Sequence, residues 1–525
     1  MSAGATAIDQ FLTQYGFTAD PFELTNSDSE PLLSTYFVPP PFFSSVLGDP
    51  SNPRPVAVFA PRGTGKTAQR LSVENQSRSN KDFLCITYDE FGITSKAQLQ
   101  AIDLNHHLTQ LTVRLTLALL AHLEMNTESI DRLSKHQRQV LLHCSRAFLG
   151  DLTQQQYAEA LGSVKTFVDK SGEVWAKYGG LVATIITGLL KKVGLDDLTI
   201  PSELKQSFER ADSLQYLFAQ LLQIAQKLDY KSTYFLIDKV DELGQTSQDS
   251  AASWRLVQDM LVDLPFLETT GAGFKFFLWD QVRAYFLEQG GRPDRVLTHE
   301  LHWTQQELRK ILRRRLEAYS EGRASNISVF LADDCSDIDL ETLVVYLAAG
   351  SPRDMIRLCK SITDEATRTE SPSTGVTRRQ LLSGIRSFSR SFAELVCAGR
   401  LPELRKIGNV TFTINQLASD VFNVSQNAAR SRVQKWQDTG LVRKVDERPN
   451  RVNRPLHVYS IADPRVAIAC TENVELELVL DNYLILCKEC GSLQVVGENE
   501  FRCTACDQVQ KLADAQSLWQ TSLRA

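Results

Sequence analysis

The sequence predicts an α/β fold: a parallel sheet with helices between its strands, followed by smaller helical and metal-stapled parts. Three observations predict it. Residues 56–60 form a short apolar run that opens into Ala60-Pro-Arg-Gly-Thr-Gly-Lys-Thr67. Far downstream, a second apolar run, residues 233–237, ends in Asp238. Near the C-terminus, Cys487-Lys-Glu-Cys490 and Cys503-Thr-Ala-Cys506 stand twelve residues apart. Apolar runs without polar alternation suit strands buried on both faces. Paired Cys-x-x-Cys turns suit a small domain held by a metal.

The first run and its loop have the strand–loop–helix context of a phosphate-binding P-loop. Gly63 and Gly65 let the backbone wrap an anion with its N–H groups inward. The helix starting near Thr67 aims its positive end at the same place. Ala60, Pro61, Arg62, Gly63, Thr64, Gly65, Lys66 and Thr67 form the candidate nucleotide loop. Lys66 reaches the β- and γ-phosphates, and the Thr67 hydroxyl holds Mg²⁺. Ala60 stands where the first Gly of such loops is usual, a small residue for a small residue.

Phe83–Tyr88 reads as the second strand. A long, mostly helical insertion follows at about residues 104–205, with apolar residues at helical spacing over Leu108–Leu123. It is a candidate for oligomer or partner contacts, with plain scaffold as the blander role. The Thr233–Ile237 strand places Asp238 at its carboxyl end, where open α/β sheets bind ligands. A carboxylate there holds the Mg²⁺ of a bound nucleotide. Asp241 or Glu242, on the following loop, orients or deprotonates the attacking water. The alternative is a strand that ends in solvated acids. Phe274–Trp279 is a further strand, and Asp280 at its end is placed to sense a γ-phosphate. Thr304–Tyr319 is a basic helix with leucines on one face and arginines on a solvated one. Gly350-Ser-Pro-Arg353 opens another helix, from which Arg353 reaches back to the nucleotide or stands as a surface arginine.

This order of motifs resembles the AAA+ and STAND branch of P-loop ATPases, closest to its origin-recognition-type and NACHT-like members. The spacing Asp238-x-x-Asp241-Glu242 is similar to the STAND version, because Lys239 stands where classical AAA+ proteins place Glu. Tyr15-Gly-Phe-Thr-Ala-Asp-Pro-Phe22 resembles the leading segment of bacterial ATPases of this group. The resemblance covers about residues 10–460 in element order, and its specific motifs are the nucleotide ones. It implies nucleotide roles for Lys66, Thr67, Asp238 and Arg353, and hydrolysis of ATP with Mg²⁺.

The tail carries two further modules. Thr413–Phe422 reads as a short helix, Asn423-Val-Ser425 as a turn with Ser425 as N-cap, and Gln426–Thr439 as a second helix closed by Gly440. Strands from Leu441 and over Pro455–Ile461 flank a polar loop at Glu447–Arg454, which contains Pro449. This resembles a winged helix-turn-helix, whose second helix enters the major groove. Residues 401–460 hold ten Lys/Arg against five Asp/Glu. Gln426, Asn427, Arg430, Arg432 and Lys435 are the types that meet bases or phosphates of double-stranded DNA. In STAND proteins, however, a winged helix packs as a clamp without touching DNA. Cys487, Cys490, Cys503 and Cys506 are candidate ligands of a structural Zn²⁺ in a zinc ribbon, with Leu493–Val496 and Glu500–Arg502 as strands. A redox pair is the alternative.

With 525 residues, 43% hydrophobic and 23% charged, the chain is large enough for several domains. Net charge is −6, which excludes a generic nucleic-acid binder and confines any such surface to a patch. The first residues show neither the basic nor the apolar region of an export signal, so the expected location is cytoplasmic, with the ten cysteines reduced or metal-bound. Gly179–Leu190 is too short to span a bilayer, and no membrane partner is expected.

The expected domains are an N-terminal lead-in segment at 1–50, an ATPase core at 51–320, a helical lid at 321–385, a winged helix at 386–468 and a zinc ribbon at 475–525. ATP and Mg²⁺ would sit between core and lid, coupling nucleotide state to DNA grip or to homo-oligomer assembly. Arg283, Arg292 and Arg295 are candidates for an arginine finger in a neighbouring subunit. The resemblance fits replication, mobile-element handling or phage defence without selecting one. A reading of another class is a STAND-type signalling adaptor, with nucleotide as a latch and a separate effector protein as partner. A third is a transcription regulator whose ATPase unit gates promoter binding.

Overall fold

The computed structural model describes residues 6–150, 152–167, 182–210, 213–247, 249–368, 375–448, 456–497 and 500–524. It divides into two compact units, one of Pro39–His302 and one of Met1–Val38 with Trp303–Ala525.

In the Pro39–His302 unit, five strands form the parallel sheet that the apolar runs implied. They are β1 Val56–Ala60, β2 Phe83–Tyr88, β3 Ser232–Ile237, β4 Ala272–Trp279 and β5 Leu297–Glu300. Their order is β2-β3-β4-β1-β5. The first three are buried throughout and β4 is buried up to Trp279, as a sheet covered on both faces requires. Chain leaving β1 returns at the far edge as β2, so the carboxyl end of β1 opens a crevice where ligands of such sheets bind. The sequence reading passed over β5. Leu297-Thr-His-Glu is polar, and only β1 supports it, with Val58 opposite Phe277 on one side and His299 on the other. An edge strand needs no two-sided apolar run.

The insertion closes the opposite edge. The Thr87 N–H of β2 donates to Ser163 O at 2.9 Å. The Leu104–Met125 helix is capped by Asp103, is buried on nearly every face and packs on the Ser213–Lys227 helix. The apolar stretch expected over 179–190 appears as the Val182–Lys192 helix, and residues 179–181 lie outside the described residues. Among the described residues, no helix is long and apolar enough to cross a membrane.

In the other unit, the Gln305–Tyr319 helix, assigned to the core on sequence grounds, packs with the N-terminal segment. Its arginines divide: Arg313 and Arg314 are exposed, as a solvated face requires, and Arg315 is not. Arg315 is 1% exposed. It donates to Glu30 Oε2 at 2.6 Å and Leu24 O at 2.8 Å, and also to Pro21 O and the Tyr36 hydroxyl. Arg309 and Arg313 meet the buried Glu341 at 3.2 and 2.7 Å. Helical spacing locates an apolar face but says nothing of a buried acid supplied from far away in sequence. The helices Leu340–Leu347, Pro352–Ala366 and Arg378–Val396 follow. The last two pack so closely that a Cβ at Gly384 would fall 2.7 Å from Ile362 Cα.

The tail then folds as β6 Thr411–Thr413, a short helix Ile414–Gln416 that runs into a π turn at Leu417–Val421, the Gln426–Asp438 helix, β7 Val442–Arg448 and β8 Leu456–Ile461. Strand β6 was not expected; it pairs with β8. The tip of the hairpin, residues 449–455 with Pro449 and Pro455, lies outside the described residues. Five short strands complete the chain: β9 Leu484–Leu486, β10 Leu493–Val495, β11 Glu500–Arg502, β12 Val509–Lys511 and β13 Gln516–Ser517. Of these, β10 and β11 are the expected ribbon strands, and β9, β12 and β13 were not expected. Leu484, Val495, Leu518 and Trp519 join the same core as the helices above. Leu523 bridges to Ile338, so the tail is built into its unit rather than appended to it.

Candidate functional site

The loop between β1 and the Lys66–Asn80 helix is shaped by two glycines, Gly63 at φ 81° and Gly65 at φ 99°. Only glycine takes this left-handed backbone without strain. A Cβ at Gly65 would meet nothing closer than Ala68 Cβ at 3.8 Å, so conformation rather than space demands glycine there. Gly65 is also the N-cap, and no side chain caps this helix. Its first N–H groups are therefore available to an anion. Thr64 ties the loop to itself by donating to Pro61 O at 2.7 Å.

Lys66 Nζ donates to Ala60 O at 3.1 Å and Pro61 O at 3.4 Å. Burial pushes its pKa down, while Asp241, Asp238 and Asp280 pull it back. Thr67 Oγ1 donates to Asp238 Oδ2 at 3.0 Å. Asp238 is 1% exposed. Burial raises its pKa, and the guanidinium of Arg70, whose Nε donates to the same oxygen at 2.9 Å, opposes the rise.

Arg70 was missed in the sequence. It lies one turn beyond Lys66 on the same helix and also pairs with Glu74, which accepts from Thr87 Oγ1 at 2.6 Å. The signal that was present was the i,i+4 pair Arg70–Glu74 on a helix whose face meets the sheet.

Asp241 and Glu242 were the two candidates to orient or deprotonate water. Asp241 is buried and held by Arg62, whose Nε donates to Oδ2 at 2.8 Å and whose Nη2 donates to the Asp241 carbonyl at 2.6 Å. The same guanidinium lies 4.7 Å above the Trp279 ring. Glu242 is exposed. Asp280 is half-buried, and its N–H donates to Ala60 O at 3.1 Å, joining the ends of β4 and β1. Lys239, at φ 58°, pairs with Asp89 beyond β2 at 3.2 Å.

One unit thus brings together the loop, Lys66, Thr67, Asp238, Asp241 and Asp280. Arg353 is an exposed residue in the first turn of the Pro352–Ala366 helix and belongs to the other unit. The finger candidates pair locally: Arg283 with Glu300 at 3.0 Å, Arg292 with Asp294 at 2.8 Å, and Arg295 with Glu268 at 3.5 Å.

The residues present fit a magnesium nucleotide. The glycine-shaped loop and uncapped helix suit phosphate. The hydroxyl and carboxylate of Thr67 and Asp238, at 3.0 Å, form the hard-oxygen set that Mg²⁺ prefers.

The cysteines fit zinc. All four sulfurs lie within 4.8 Å of one another. Cys487 Sγ is 3.6 Å from Cys506 Sγ, and Cys490 Sγ is 3.6 Å from Cys503 Sγ. Tetrahedral Zn–S bonds of about 2.3 Å place sulfurs about 3.8 Å apart. Both knuckles make the same turn. Gly491 N–H donates to Cys487 O at 2.8 Å, and Asp507 N–H donates to Cys503 O at 2.9 Å. Gly491 and Asp507 take left-handed φ of 69° and 62°. Thr504 of the second knuckle accepts from Arg443 of β7 at 3.0 Å.

On the Gln426–Asp438 helix, Ala429, Val433 and Trp436 face the core, and Gln426, Asn427, Arg430 and Lys435 are exposed. Gln426 donates to Asn415 Oδ1 at 3.0 Å, and Arg430 to Asn427 Oδ1 at 3.3 Å. Arg432 is the exception in the set. It is half-buried, with its guanidinium 4.3 Å from the centre of the Phe422 ring.

No protein-family model matches the sequence, and no curated protein matches it. Among solved structures, the chain is similar to the Aeropyrum pernix ORC1 protein in complex with DNA, at 14% identity and TM-score 0.34, covering 86% of this chain and 92% of that one. It is similar to the Aeropyrum pernix ORC2 protein in ADPNP–ADP complexes, at 11% identity and TM-score 0.35, covering 85% and 97%. It is also similar to Cdc6p from Pyrobaculum aerophilum, at 10% identity and TM-score 0.30, covering 89% and 97%.

Proposed function

We propose that the chain is a Mg²⁺-dependent ATPase switch that couples its nucleotide state to binding of double-stranded DNA through the winged helix. The observation that carries this reading is the juxtaposition of Thr67 and Asp238 at 3.0 Å beside the Lys66 amine, at the carboxyl ends of β1 and β3. A hydroxyl, a carboxylate and an ammonium around a glycine-shaped loop are the groups that hold a nucleotide's phosphates and its metal. When bound, Mg²⁺ supplies charge stabilisation on the phosphate oxygens. Lys66 neutralises the β- and γ-phosphates, and Asp280 senses the γ-phosphate through a water that donates to both anions. Asp241 or Glu242 takes the proton of the attacking water. Exposed Gln426, Asn427, Arg430 and Lys435 support groove and backbone contacts, with Arg432 as a phosphate contact at the flank. Zn²⁺ on the four cysteines is structural, since all four ligand places are filled by protein. Assembly into a homo-oligomer would present Arg283, Arg292 or Arg295 to a neighbouring site.

The test is ATP hydrolysis by the purified protein, with and without duplex DNA, beside Lys66→Ala. Turnover stimulated by DNA and abolished in the variant is the expected result. Tight nucleotide retention with negligible turnover and no response to DNA would refute the switch.

A further inference from the structure

We propose that Arg62 and Asp241 form a latch that distinguishes a nucleoside triphosphate from a diphosphate. The proposal rests on the nucleotide reading above and adds the residue pair that senses the third phosphate. Arg62 belongs to the phosphate loop itself, yet its guanidinium is spent on a carboxylate of the loop after β3. Two hydrogen bonds, of 2.8 and 2.6 Å, join it to Asp241. The Asp241 side chain is 3% exposed and that of Arg62 is 37% exposed. The acid is therefore fixed, and the arginine is free on one side. With Asp238 and Asp280, Asp241 also holds up the charge of the Lys66 amine against burial. The carboxylate that binds Arg62 thus lies within the charge field of a loop built to hold phosphate.

A γ-phosphate is a second anion for the same two cations. The planar fork of an arginine matches phosphate oxygens as well as carboxylate oxygens. A triphosphate therefore competes with Asp241 for Arg62, and a diphosphate, lacking the third phosphate, does not. Withdrawing Arg62 removes one bond from the buried Asp241 carboxylate and one from its backbone carbonyl, and the acid must then seek another partner. The loop that carries Asp241 would move with it. Lys239, in left-handed backbone at φ 58° and paired with Asp89, is the neighbouring point of strain in that loop. Trp279, beneath the guanidinium at 4.7 Å, reports the departure.

The signs of two substitutions separate a latch from a structural ion pair. If Arg62 and Asp241 merely brace the fold, Arg62→Gln and Asp241→Asn weaken every nucleotide alike. A latch predicts opposite effects. Equilibrium titration of the full chain with a non-hydrolysable ATP analogue and with ADP, both with Mg²⁺, reads them. Arg62→Gln should weaken the triphosphate about tenfold and ADP less than about twofold. Asp241→Asn, by removing the competitor, should tighten the triphosphate and leave ADP within about twofold. Arg62→Lys, which keeps charge but not the fork, should fall between wild type and Arg62→Gln. Tryptophan fluorescence, with Trp279→Phe as the subtraction control, should respond to the triphosphate and not to ADP. Equal shifts for both nucleotides, or weaker triphosphate binding in Asp241→Asn, would overturn the latch while leaving the nucleotide reading intact. Wild-type protein that binds neither nucleotide would overturn both.

Discussion

Arg70→Met is the perturbation whose cost can be worked most directly from the structure. Arg70 and its two partners, Asp238 and Glu74, have side chains only 1–2% exposed. Substitution leaves Asp238 with Thr67 and the backbone N–H of Lys239, and Glu74 with Thr87 and the more distant Arg78 at 3.6 Å. Removing one member of a buried charge cluster costs about 3–5 kcal/mol, because the remaining charges are stranded. For a unit of this size, about 4 kcal/mol corresponds to a Tm lower by about 8–16 °C. Calorimetry of the full chain reads the transition of the Pro39–His302 unit. Arg70→Met with Asp238→Asn and Glu74→Gln keeps the shapes but removes both buried charges, and should recover about half of the loss or more. MgATP should stabilise Arg70→Met more than it stabilises wild type, because a cation at Asp238 replaces part of the lost positive charge. A Tm change under about 2 °C for the single variant would refute the assignment. So would a triple variant no better than the single one.

Three further outcomes are expected. Lys275 is buried against Tyr234 and Arg54 O, and burial lowers its pKa to about 7 from 10.5. Between these values the unfolded chain holds a proton that the folded chain does not, so stability rises with pH, by up to about 1.4 kcal/mol per pH unit. Lys275→Met should be more stable than wild type at pH 7 and should lack that rise in denaturant titrations between pH 7 and 9. Elemental analysis should find one zinc per chain. Chelation or Cys503→Ser should lower the Tm of the unit that carries the tail, since structural zinc in small domains binds with on the order of 10 kcal/mol. Arg430→Ala and Lys435→Ala should each weaken duplex binding and lower the salt-dependence slope by about 1, as lost phosphate contacts do. Unchanged slopes would remove these two side chains from the interface.

The sequence by itself determined the features that depend on close neighbours. The loop from Ala60 to Thr67 is legible because glycine spacing and the adjoining strand and helix are contiguous in the chain. The four cysteines are legible for the same reason, since each knuckle is one short turn. Strands β1 to β4 show as apolar runs because both faces of the sheet are covered, and the Gln426–Asp438 helix shows through its cap and its three inward residues. What only the tertiary structure decided is which charges meet. Arg70 with Asp238, Arg62 with Asp241 and Arg315 with Glu30 join residues 168, 179 and 285 positions apart. Periodicity and spacing are local measures, so Arg315 looked like a solvated arginine and Asp241 like a free acid until the fold closed around them. Strand β5 escaped for a related reason, because an edge strand draws its support from its neighbour's backbone rather than from its own side chains. Burial without water turns such distant pairs from incidental contacts into requirements, since a charge enclosed by the fold must find its partner there.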